Sequence, residues 1–429
     1  MKPVTKGTTN PGRAPSAWSN PNYRRLWRGS AASTLGSEVA EIALPLFALV
    51  TLSASAAEAS TLRVAQFLPF LLATLPVGLL VDRFEHSRLR LMIGADLGRA
   101  LLVALLPLAA WTGTAGMPIL YIVVFAAATL TVVFQVADFA LLPKIVTEGQ
   151  LVGANGKLAA TQSAAEIGGR GVGALLVQAL SAPFALLLNA GGYLVSAISL
   201  SRIRLPEPLK DQPADRTPAR LDLVRGITFT LRHRFVRPLL GEAATFNLFN
   251  EILMLGLLLY VVRDAHLSPL AIGAIFTAGG LGSFAGAWFG ARFTARFGYG
   301  RVLLVTLAVG NGAPLGVLLA DRSGSGLLAL LCSIFVVMGA GIGIANVHAV
   351  SLRQAATPKE LRGQVNAAYR LVSWGAIPVG AAAGGIIATQ TGPLTAMGTG
   401  AAGVAAATLW VAFSAVPTLR DIHDASARP

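Results

Sequence analysis

Apolar and polar positions alternate along this chain in long blocks rather than in a short repeat. Twelve stretches of predominantly apolar residues cover approximately 26–52, 61–81, 89–111, 117–142, 158–180, 183–203, 236–262, 269–291, 302–320, 327–352, 365–388 and 393–417. A hydrocarbon layer about 30 Å thick takes roughly 20 residues of helix to cross, so each block predicts one membrane-spanning helix. The blocks are dense in Gly and Ala, which lets helix backbones approach closely in lipid. A closed barrel would instead read as segments of about ten residues in strict alternation, and the sequence shows none.

Composition agrees with this pattern. Hydrophobic residues make up 54% and charged residues 13%, about half the charged share of a soluble domain. A net charge of +14 would point to nucleic acid in a soluble protein, but its distribution points elsewhere. The basic residues crowd alternate connections, whereas the opposite connections receive only Arg63, Arg263 and Arg322. By the positive-inside bias both termini are expected in the cytoplasm, with membrane lipids as partners and no nucleic acid. Residues 1–23 are polar and lack the apolar core of a cleavable signal peptide.

The sequence also repeats itself at an offset of about 210 residues, the mark of two related bundles. Leu142, Thr147, Leu151 and Gly153 correspond to Leu352, Thr357, Leu361 and Gly363. Arg83, Phe84 and Arg88 correspond to Arg296, Phe297 and Arg301. The expected organisation is a tail (1–23), a six-helix bundle (24–203), a linker (204–235), a second six-helix bundle (236–419) and a tail (420–429). The linker holds Pro206, Pro208, Pro213 and Pro218, then a basic amphipathic stretch from Arg220. That stretch reads either as a helix resting on an anionic membrane surface or as a plain solvated connector.

The stretch Gly78-Leu-Leu-Val-Asp-Arg-Phe-Glu-His-Ser-Arg between the second and third blocks resembles the signature loop of the major facilitator superfamily. Further likeness, to the bacterial branch of enterobactin exporters and macrolide efflux proteins, lies in Tyr23-Arg-Arg-Leu-Trp, Ala43-Leu-Pro-Leu, Ala95-Asp-Leu-Gly-Arg-Ala, Leu141-Leu-Pro-Lys-Ile-Val and Pro358-Lys-Glu-Leu-Arg-Gly-Gln-Val. The resemblance implies twelve helices in two pseudo-symmetric bundles, alternating access driven by an ion gradient, and a cytoplasmic latch of Gly78, Asp82, Arg83 and Arg88. Two positions depart from it: Arg170 stands where the efflux pattern has proline, and Asp138 where the branch has arginine.

Ionisable side chains in apolar spans are costly and tend to face a cavity or a partner. Glu38 and Glu41 lie three residues apart, on one face of the first helix. With Glu166 and Arg170 in the fifth they are the proton-coupling candidates, Arg170 being an expected partner of Glu41. Asp96 and Arg99 are expected to form a structural pair. Gln135, Asp138, Asn247, Asn250, Glu251, Tyr369, Arg370 and Trp374 are substrate-cavity candidates, although ordinary packing explains the aromatics about as well.

Cys332, the single cysteine, reads as a small buried hydrophobe, and His348 as a packing residue. The sequence has no metal-ligand constellation, phosphate-binding Gly-Lys-Ser or Gly-Lys-Thr loop, or nucleophile elbow. No metal, cofactor, ATP use or enzyme activity is expected. The resulting expectation is an all-α inner-membrane secondary transporter, monomeric, exporting a small amphipathic drug-like or siderophore-like molecule in exchange for protons. A proton-coupled metabolite importer, and a non-transporting receptor or secretion accessory on the same scaffold, stay open as alternatives.

Overall fold

The computed structural model describes residues 17–74, 76–77, 88–139, 141–204, 219–319, 326–358 and 361–422. Among them the chain consists of helices and turns, without strands. The long helices are α1 (Pro21–Leu46), α2 (Ala56–Leu72), α3 (Arg88–Trp111), α4 (Met117–Phe139), α5 (Glu148–Leu180), α6 (Ala182–Ser201), α7 (Val236–Leu259), α8 (Pro269–Phe297), α9 (Tyr299–Gly312), α10 (Leu327–Ala356), α11 (Arg362–Thr391) and α12 (Pro393–Ala407). Among the described residues ten helices are long and apolar enough to cross a membrane. The other two, α2 and α5, occupy the places of the second and fifth expected spans; α5 is 33 residues long and is diluted by Lys157, Gln162, Glu166 and Arg170.

Local chemistry sets where helices begin. Asn20 accepts the Asn22 N–H ahead of α1, with Pro21 at the first position, where a missing N–H costs nothing. At α2 the Ser55 hydroxyl accepts the Glu58 N–H, and the Glu58 carboxylate accepts the Ser55 N–H at 2.7 Å. This capping box starts α2 at Ala56, ahead of the hydropathy boundary at 61. Arg63 therefore sits two turns inside a helix, not in an outer connection as the charge pattern suggests.

The repeat is visible in the backbone. The end of α1 runs on into a π-helical turn, Phe47–Thr51, and the end of α7 into Tyr260–Asp264. Each is followed by a left-handed residue, Ser53 (φ 51°) and His266 (φ 49°); likewise Ser181 (φ 86°) joins α5 to α6 and Gly392 (φ 93°) joins α11 to α12. Packing repeats in the same way. In the first set α1 lies on α5 and α6, α3 on α4 and α6, and α2 on α4. In the second, α7 lies on α11 and α12, α9 on α10 and α12, and α8 on α10. Small residues make these approaches possible: a Cβ on Gly339 of α10 would lie 2.0 Å from the Gly279 carbonyl of α8.

The two sets meet mainly along α2–α11 and α5–α8. One end of the bundle, here the terminal end, gathers the start of α1 and the segment after α12: Asn22 Nδ2 donates to Arg204 O, and the Tyr299 N–H to Arg420 O. The distal end holds the turns at Ser53 and His266, where Arg263 donates to the Ala54 carbonyl. A helix, Ala219–Arg232, lies across the start of α11, its Gly226 against the Gln364 carbonyl and its Thr230 buried. Val224 and Leu231 are exposed beside Arg225 and Arg232, the amphipathic arrangement that the basic stretch suggests.

Candidate functional site

Between the two sets lies a cavity of about 730 Å³, within the size range of small-molecule sites. Its wall is drawn from α1, α2 and α5 on one side and α7, α8, α10 and α11 on the other. Toward the distal end the sets touch: Gly273 lies against Ala174 and Gly385 against Ser60. At mid-span Gly280 meets Ile167, and Phe70 meets Trp374 edge-on at 6.0 Å. The lining continues toward the terminal end past Gln162 and Ser163 of α5 and Ser283, Phe284 and Ala287 of α8.

The charged residues of the wall form two clusters. Arg63 of α2 donates from Nε and Nη2 to the two carboxylate oxygens of Glu251 on α7, at 3.2 and 2.9 Å. Its Nη1 donates to Glu41 of α1 at 3.1 Å and to Gln66 Oε1 at 3.0 Å, and Gln66 Nε2 donates to Glu41 at 2.7 Å. One guanidinium thus ties carboxylates from both sets, the forked geometry for which arginine is suited. In the second cluster Arg170 Nε donates to Glu38 Oε2 at 3.0 Å. Gln162 Nε2 donates to Glu166 at 3.3 Å.

Arg170 is therefore bonded to Glu38 and not to Glu41, the partner expected from spacing; Glu41 is taken by Arg63. The geometry has a local cause. Gly169 brings α5 so close to α1 that a Cβ there would fall 2.6 Å from Glu38 Cβ, and this leaves the adjacent Arg170 at hydrogen-bonding distance from Glu38.

Of the other candidates, Asn250, Glu251 and Trp374 line the cavity. Asn247 instead donates to the Ser373 carbonyl, and Tyr369 to the Leu239 carbonyl, both helix-packing bonds. Arg370 is exposed over the Trp374 ring. Gln135 is exposed and Asp138 half-buried on α4, a helix absent from the cavity wall. Asp96 and Arg99 are paired and buried, Arg99 lying between the rings of Phe134 and Tyr193 at 4.6 and 4.2 Å. Arg88 opens α3, while Gly78, Asp82 and Arg83 lie outside the described residues. Sequence reasoning missed Arg63, Gln66, Gln162 and Phe276; for Arg63 the signal was present as the Ser55-x-x-Glu58 capping box.

The pattern of the Major Facilitator Superfamily matches residues 26–381. The chain belongs to that superfamily. Macrolide efflux protein A of Streptococcus pyogenes is 29% identical over 185 residues, 43% of this chain and 45% of that protein, so the match spans less than half of that relative. The multidrug efflux pump Tap of Mycolicibacterium fortuitum is 26% identical over 83% of this chain and 87% of its own. The MFS-type transporter YfiS of Bacillus subtilis is 25% identical over 86% and 87%. Among solved structures, a mutant of the nucleoside transporter NupG superposes with a TM-score of 0.70 at 13% identity, covering 91% of this chain and 98% of that one. A bacterial homologue of the iron transporter ferroportin, in its inward-facing state, gives 0.65 at 16%, covering 95% and 99%. At those identities the likeness is one of fold. The protein is a multi-pass, all-α membrane protein of this superfamily.

Proposed function

We propose that this protein exports a small amphipathic molecule across the bacterial inner membrane by proton antiport, working as a monomer. Two bundles, 24–203 and 236–419, rock about the cavity between them, with both termini cytoplasmic. The observation that carries the reading is the pair of charge clusters on the cavity wall. Arg63 joins the two bundles through Glu41 and Glu251, and Arg170 joins α5 to α1 through Glu38. A proton on any of these carboxylates removes one side of an ion pair and alters the balance between the two orientations of the cavity. With the termini inside, the contacts of Gly273 with Ala174 and of Gly385 with Ser60 lie toward the outer face, which suits a cavity loaded from the cytoplasm, as an exporter requires. The efflux names of two of the relatives support the direction of transport.

The test is reconstitution in proteoliposomes with a panel of drug-like and siderophore-like compounds and an imposed pH gradient. Uphill movement that a protonophore abolishes is expected, with Glu38→Gln or Glu41→Gln retaining counterflow but losing the response to the gradient. Transport indifferent to the gradient in the native protein would overturn the antiport reading, and gradient-driven uptake into cells would overturn export.

A further inference from the structure

The charges lining the cavity do not balance. Glu38, Glu41, Glu166 and Glu251 bring four carboxylates to the wall, whereas Arg63 and Arg170 bring two guanidiniums. Arg63 is shared between Glu41 and Glu251, and Arg170 is held by Glu38. Glu166 is left with a neutral amide, that of Gln162, and is exposed on the cavity wall. Charge in such a recess is poorly screened, so an uncompensated carboxylate there repels an anionic guest and attracts a cationic one.

The rest of the wall says what kind of cation. Phe246, Phe276, Phe335 and Trp374, with Met254 and Met338, present broad apolar faces around the recess. Two of the wall's aromatic rings already hold cations: the Arg63 guanidinium lies 4.8 Å from the centroid of Phe67, and that of Arg170 lies 5.9 Å from Phe276, the separations of a cation–π contact. A bare metal ion is a poorer match, since among the described residues no three His, Cys, Asp or Glu converge to hold one.

We propose that the transported molecule is a lipophilic organic cation and that Glu166 is its counter-ion in the cavity, an inference that rests on reading this cavity as the transport site. An aromatic or aliphatic body packs on the Phe and Met faces while its ammonium or phosphonium charge stands at Glu166. The ion pairs of Arg63 and Arg170 stay intact, because the guest replaces only the Gln162 amide at Glu166.

Tetraphenylphosphonium and tetraphenylborate have one shape and opposite charge, which makes them the deciding probes. Their equilibrium binding is measured on the full-length protein in phosphatidylcholine nanodiscs, without any gradient, so the result is independent of whether the proteoliposome experiment shows proton-driven export. The phosphonium is expected to bind saturably and the borate not. Glu166→Gln should weaken phosphonium binding about tenfold, equivalent to about 1.4 kcal/mol, and Glu166→Asp should restore most of it. Equal binding of the two ions, saturable binding of neither, or an unaltered phosphonium affinity in a Glu166→Gln variant that melts like the native protein would each overturn the proposal. Should that variant fail to fold, the comparison of the two ions on the native protein still decides the sign of the charge.

Discussion

Arg63 on α2 grips Glu251 on α7 with two parallel hydrogen bonds across the seam between the two helix sets, and the side chain of Glu251 is only 9% exposed. A bond to a charged group is worth about 1.5–3 kcal/mol, and this pair spans elements that must separate if the distal end opens. Glu251→Gln and Arg63→Ala are therefore expected to shift the population toward distal opening. Spin labels at Thr61 of α2 and Thr389 of α11, in a Cys332→Ser background, report it as a longer inter-label distance. An unchanged distance distribution in both variants would show that the fork does not hold the distal end shut.

Gly169→Ala is expected to damage the α1–α5 contact. Alanine ordinarily stabilises a helix over glycine by about 1 kcal/mol, but here the new methyl falls 2.6 Å from Glu38 Cβ. Overpacking of that kind costs about 1–3 kcal/mol, enough to offset the helix gain and to push Glu38 away from Arg170. The variant should melt at a lower temperature in detergent and lose gradient response in the same way as Glu38→Gln. A variant that melts at or above the native temperature would show that α5 yields without strain.

How much of this was legible in the sequence follows from the kind of signal each feature leaves. The apolar blocks and the repeat carried the all-α membrane fold, because in lipid the backbone must satisfy itself within each helix. Asp96 and Arg99 could be read as a pair because both lie on one helix at i and i+3. Arg170 with Glu38, and Arg63 with Glu251, join different helices, and spacing along the chain says nothing of which faces meet. Arg63 was further obscured by its closeness to a hydropathy boundary, which the Ser55–Glu58 capping box corrects. Asp138 and Gln135 look like cavity residues in the sequence, yet α4 contributes nothing to the cavity wall.

Away from the cavity, Arg99 holds together the packing of α3, α4 and α6. It is 2% exposed, pairs with Asp96, bonds Thr131 Oγ1 at 3.3 Å and is sandwiched between Phe134 and Tyr193. Removing one partner of a buried ion pair leaves the other uncompensated, at a cost of about 3–5 kcal/mol. Arg99→Ala should therefore lower the thermal midpoint strongly. Arg99→Lys, which keeps the charge but loses the planar fit between two rings, should fall between. The double variant Asp96→Asn/Arg99→Met should recover part of the loss, because no buried charge remains. Equal melting of Arg99→Ala and the native protein would show the pair to be dispensable.

The helix Ala219–Arg232 is expected to dock in a pH-dependent way. His233, just beyond it, stacks on Phe229 at 4.9 Å, and its Nδ1 accepts the Phe235 N–H at 3.3 Å. Burial, and then the charge of Arg234, hold its pKa below the ordinary histidine value of 6.5. The docked helix thus favours the neutral ring, whose Nδ1 is free to accept; protonation turns that atom into a donor and breaks the bond. Because the pKa is depressed in the folded state, the stabilisation is complete above 6.5 and is lost as pH falls through the lower folded value. Protection from hydrogen exchange across 219–235, taken relative to the intrinsic exchange rate at each pH, should fall on acidification, while protection within α7 stays unchanged. His233→Gln, whose amide carries no charge at any pH, should remove that dependence. A native protein whose 219–235 segment exchanges with only the intrinsic pH dependence would show that His233 does not govern the docking of this helix.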